Sequence, residues 1–102
     1  WIAVYMMADR YRGTLYIGVT SDFITRITAH REGRGSRFTR KYRLTRLVWY
    51  EEHMLITEAI QRETSLKRWP RQWKINLLER ENPRWEDLYA AVFEWTPVPR
   101  QI

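Results

Sequence analysis

The stretch Leu15–His30, LYIGVTSDFITRITAH, decides the fold. It begins as a strand: Leu15, Ile17 and Val19 alternate with Thr14, Tyr16 and Gly18, the period of two that leaves one strand face apolar. At Ser21 or Asp22 the period changes. Both residue types cap helices well, and Phe23, Ile24 and Ile27 then line one side of a helix reaching about Arg31, with Gly33 as its stop. Arg26 and His30 lie one turn apart and share a face of that helix. Packing by Phe23, Ile24 and Ile27 does not require either of them, so the pair needs another reason.

Upstream, Ile2–Ala8 is rich in β-formers and reads as a strand, joined to Thr14–Val19 by the turn DRYRG, where Gly13 can take a positive φ. If residues 9–12 form the loop, Ala8 faces Gly13 and Tyr5 stands opposite Tyr16, on one sheet face. A slip of one residue would separate the two rings. Gly18 follows directly, and a glycine near a strand end often marks close backbone approach.

Downstream, EGRGSRFTRKY reads as a basic, Gly-containing loop and Leu44–Glu52 as a third strand. Thr57 caps a second helix to about Arg68, Pro70 opens a third to about Glu81, and Asn82–Pro83 open a short piece carrying Trp85, Leu88 and Tyr89. Trp69, Trp73 and Leu77 follow helical spacing and read as a core seam. The closing TPVPRQI has no core pattern. The order β-β-α-β-α-α plus a short terminal helix predicts an α+β domain over residues 1–89, with 90–102 as a tail. Its centre is a small three-stranded antiparallel sheet flanked by helices.

With 44% hydrophobic residues and six Trp in 102 residues, the chain can bury one core. The absence of cysteine excludes disulfides and thiolate metal sites. No apolar run approaches the roughly 20 residues that span a bilayer, and WIAVYMMA lacks a basic leader. The expectation is a cytoplasmic chain without a membrane role.

Lys and Arg number 18 against 12 Asp and Glu, and the excess is uneven. Between Arg26 and Arg46 stand eight basic residues and one acid, Glu32; between Glu79 and Glu94 stand five acids and two bases. Such a cluster is a solvated face or a surface for a polyanion, and its Arg richness favours phosphate.

Glu63 is out of place. Ile56, Ala59, Ile60 and Leu66 define the inward stripe of the second helix, and Glu63 falls in its middle. A carboxylate there needs either an arginine partner or a bound cation. Glu58, by contrast, suits the first turn. His53, in EEH, has neighbours on the opposite strand face and is set aside.

Those residues resemble the GIY-YIG nuclease domain. Val4–Met6 followed by Tyr16–Gly18, then Arg26, His30 and Glu63, match its pattern over residues 1–89. The runs Tyr16–His30 and Arg62–Trp69 look closest to the small stand-alone bacterial members. The resemblance implies phosphodiester hydrolysis with one divalent ion, Mg²⁺ or Mn²⁺, on Glu63. It also implies catalytic roles for Tyr5, Tyr16, Arg26, His30 and Glu63. Arg26 would clamp phosphate, and one tyrosine, Tyr5 as first choice, would take the water's proton with its pKa lowered by nearby cations. Arg31, Arg34, Arg37, Arg40, Lys41 and Arg43 would grip the backbone of DNA, with RNA left open, in a monomer or weak homodimer. Two departures stand out: Ala3 replaces the first triplet's glycine, and Val19 stands where some members place a lysine. The rival functions are a nucleic-acid-binding module without catalysis, stacking bases on Tyr11 or Phe38, and a scaffold presenting tryptophans.

Overall fold

The computed structural model describes residues 1–94. Three strands, β1 (Ile2–Ala8), β2 (Leu15–Thr20) and β3 (Arg46–His53), form an antiparallel sheet in the order β2-β1-β3. β1 is central and its residues Ala3–Ala8 are buried on both faces. Val4, Met6 and Ala8 point into one core with Ala59, Leu66, Ile75, Leu78 and Trp85. Ala3, Tyr5 and Met7 point into the other with Phe23, Ile27, Leu44 and Val92. The strand period of two thus splits one apolar run between two cores, and the fold is the expected α+β arrangement with a helical layer on each face.

The first layer holds α1 (Phe23–Arg31), α2 (Arg37–Tyr42) and α5 (Tyr89–Glu94); the second holds α3 (Ile56–Arg68) and α4 (Arg71–Glu79). α1 ends where Gly33 takes φ 75°, with Gly33 N–H bonding His30 C=O (3.1 Å) and Arg34 N–H bonding Ala29 C=O (2.7 Å). That pair of bonds closes the helix as a Schellman motif.

Several local expectations are revised. The basic loop contains α2, capped by Ser36, whose Oγ accepts from Thr39 N–H (3.2 Å), and closed by Arg43 at φ 56°. The hairpin loop is longer than expected, so Tyr5 pairs with Gly18 and Tyr16 with Met7. The slip is two residues, and both rings keep the same face. On α3, Ile56 and Ile60 are exposed; the inward residues are Ala59 and Leu66. Trp73 is exposed as well, standing edge-on to half-buried Trp69, whereas Trp85 is fully buried.

Residues 83–88 form no helix. Buried Asn82 instead donates to Val48 C=O (2.9 Å) and Glu86 C=O (2.8 Å) and accepts from Glu86 N–H (3.0 Å), folding the segment against β3 with Trp85 at φ 57°. α5 then begins at Tyr89, and Val92, expected in the tail, joins the core. The TPVPRQI stretch lies outside the described residues.

Candidate active site

The site gathers around β2, an edge strand of the sheet. Tyr5 reaches it from the central strand, with its ring over Gly18. A Cβ at Gly18 would sit 2.4 Å from both Cζ and Oη of Tyr5, so only glycine lets the ring lie there. Beside it, Tyr16 is the diagonal cross-strand neighbour, its ring centroid 6.3 Å from that of Tyr5.

His30 completes the cluster from the last turn of α1, with ring centroids 5.5 Å from Tyr5 and 5.7 Å from Tyr16. It is buried, and both ring nitrogens are engaged: Nε2 with Tyr5 Oη at 2.9 Å, Nδ1 with Thr39 Oγ1 at 3.1 Å. Burial, aided by the positive charge of Arg26, holds the His30 pKa down to about 4, so the imidazole is neutral in ordinary buffers.

Tyr5 behaves opposite to expectation. Burial pushes its pKa up, well above the usual phenol range, and negative charge on Tyr16 and Glu63 adds to the rise while Arg26 opposes it. The expected lowering by cations therefore fails, because desolvation outweighs one exposed guanidinium. Tyr5 is a buried neutral phenol. Tyr16 is the tyrosine on the cleft wall, half-buried, in a cleft of about 270 Å³ lined also by Leu15, Ile17, Phe38, Lys67 and Lys74.

Glu63 comes from the other layer. It lies between buried Ala59 and Leu66, its side chain only 15% exposed. Its partner is the Lys67 ammonium, 2.9 Å from Oε2 on the next turn, rather than an arginine. Arg26, exposed on α1, is close enough for its charge to act on both Tyr5 and His30, as that of Glu63 acts on Tyr5. Tyr5, Tyr16 and His30 thus form one cluster, with Arg26 and Glu63 within electrostatic reach of Tyr5.

The expected basic face divides. Arg31 is tied to Asp87 and lies over the Tyr89 ring at 4.4 Å, and Arg34 is paired with Glu32. Arg37, Arg40, Lys41 and Arg43 stay exposed on or beside α2, with no ion pair among the described residues. Phe38 shares this helix and stacks on Tyr16 at 6.0 Å, continuing to Tyr42 at 4.8 Å. Sequence reading passed over Thr39, Gly35 and Lys67. Only the Ser36 cap signal before RFTRKY pointed to the helix that carries Thr39.

A small three-stranded sheet thus carries two tyrosines and a buried histidine in one cluster, with the basic helix α2 beside it. The family model of the GIY-YIG catalytic domain matches residues 2–76, and the chain belongs to that family. Among similar proteins are UPF0213 proteins of Staphylococcus epidermidis, 33% identical over 66% of this chain and 82% of theirs, and of Staphylococcus aureus, 34% identical over the same shares. No solved structure matches. The family is one of nucleases that act on nucleic acid and are generally dependent on a divalent metal ion.

Proposed function

We propose that the chain is an endonuclease that nicks DNA with little sequence specificity, using the cluster at the β2 edge. One observation carries the reading: the Tyr5, Tyr16 and His30 rings meet within 6.3 Å of one another where the charges of Arg26 and Glu63 converge.

Glu63 would hold the metal. A single carboxylate suits Mg²⁺ or Mn²⁺ once the Lys67 ammonium, 2.9 Å from its Oε2, turns aside to make room for the ion. Mg²⁺ in particular keeps most of its waters and takes substrate phosphate as a ligand. When bound, the ion supplies Lewis-acid stabilisation of the leaving 3′ oxygen. Arg26 clamps a non-bridging phosphate oxygen and offsets the charge that develops there. Tyr16, on the cleft wall, faces the attacking water and takes up its proton after releasing its own phenol proton to solvent through the open cleft. Tyr5 and His30 orient that water from behind, and neutral His30 can take up a proton at Nε2. Arg37, Arg40, Lys41 and Arg43 grip the backbone without reading bases. RNA remains the alternative substrate, and the exposed, mutually tilted Phe38 and Tyr42 rings favour the second reading, a binding module without catalysis.

Supercoiled plasmid incubated with Mg²⁺ or Mn²⁺ decides between them. Nicking by the wild type and its loss in Glu63→Ala and Tyr16→Phe support the nuclease. Retained binding with no nicking under either metal identifies the module, and absence of any affinity rejects both readings.

A further inference from the structure

Behind the reacting tyrosines runs a chain of buried hydrogen bonds whose direction can be worked out. Thr39 Oγ1 has three polar neighbours: Ser36 C=O at 3.0 Å, Ser36 Oγ at 3.1 Å and His30 Nδ1 at 3.1 Å. A hydroxyl has one proton and two lone pairs. The carbonyl can only accept, and although it already takes Arg40 N–H at 3.0 Å, the Thr39 hydroxyl points to it as well. With the Thr39 proton there, Ser36 Oγ–H and His30 Nδ1–H both donate to Thr39, an assignment that satisfies every contact. With its proton on Nδ1, His30 presents a lone pair at Nε2, and the 2.9 Å contact there is donated by Tyr5 O–H.

We infer that Thr39 is a positioning residue that fixes the tautomer of His30. It thereby commits the Tyr5 proton to His30, so that Tyr5 turns only oxygen lone pairs toward the reacting water. The opposite tautomer would reverse the chain. Nε2–H would donate to Tyr5, and the phenol proton would turn toward the water that Tyr5 is to orient by accepting from it.

Gly35 supports the contact on which this rests. A Cβ at that position would lie 2.0 Å from His30 Nδ1 and 2.7 Å from Thr39 Oγ1. Glycine is what lets the imidazole and the hydroxyl meet. Thr39 is buried within α2, whose outer face is the basic one, so the tautomer is set by the same short helix that would meet substrate. The inference rests on the proposed nuclease reading for its catalytic consequence, though not for the tautomer itself.

Imidazole ¹⁵N shifts of labelled protein at neutral pH test it. Wild type and Thr39→Ser should carry the His30 proton on Nδ1, whereas Thr39→Val should move a measurable fraction to Nε2. Plasmid nicking should fall roughly 100-fold in Thr39→Val, the scale of a general acid–base contribution, and return in Thr39→Ser. A wild-type ring protonated at Nε2, or a Thr39→Val ring unchanged from wild type, overturns the inference. Should Thr39→Val fail to fold, the wild-type shifts alone decide. Because the shifts are read without cleavage, a chain that cuts nothing defeats the nuclease reading while leaving the tautomer result intact.

Discussion

His30 shows what a single buried side chain does to the pH response. Its unfolded pKa is near 6.5 and its folded pKa is about 4. Between those values the unfolded chain binds a proton that the native chain refuses, so stability is full above the upper value and declines as pH falls toward the lower one. The loss should approach about 3 kcal/mol. Urea titrations of wild type and His30→Gln between neutral pH and pH near 4 check it: the wild-type advantage should shrink on acidification, and a constant difference would contradict a buried neutral imidazole. The sequence exposed His30 and Arg26 through helical spacing, and the Tyr5–Tyr16 face survived because a two-residue slip preserves strand parity. The direction of the Tyr5 pKa was hidden, since it depends on a depth of burial that no local pattern encodes.

Among the elements, α2 was the least legible. Six residues give too little periodicity, and its close rests on Arg43 in a left-handed conformation usually left to glycine. Its surface makes a measurable distinction among the arginines. Arg37→Ala and Arg40→Ala should each lower the salt slope of DNA binding by about one without changing melting temperature. Arg31→Ala should do the reverse, because its charge is spent on Asp87 and its plane on Tyr89. Filter binding across a salt series, beside thermal melts, compares them; equal slopes for all three would deny α2 its special place. On α3 the sequence located Glu63 correctly by its position among apolar residues, yet misjudged Ile56 and Ile60. A helix resting on a narrow sheet buries a narrower stripe than its apolar residues suggest.

At the scale of the molecule, the hairpin and α4 are joined through Glu79 and Arg71. Glu79 accepts from Arg12 at 2.9 and 3.0 Å and from the indole N–H of fully buried Trp85 at 2.6 Å, while Arg71 donates to the carbonyls of Arg12 and Gly13. Glu79→Ala would strand the indole N–H in the core, an unmet donor worth about 1–3 kcal/mol. Its denaturation midpoint in urea should fall accordingly, and a midpoint matching wild type would mean the indole finds another acceptor. The three strands and the helices that flank them could be read from strand and helix periods, whereas the order β2-β1-β3 is a finding of the structure. The Asn82 anchor could not, since one side chain reaching a strand 34 residues away leaves no local trace.

The ring lying over Gly18 has an evolutionary corollary. As long as position 5 carries an aromatic side chain, position 18 has no viable drift: any larger residue collides at 2.4 Å. Tyr5 of the first triplet and Gly18 of the second are therefore sterically coupled, so that a side chain at 18 is admitted only where the ring at 5 gives way.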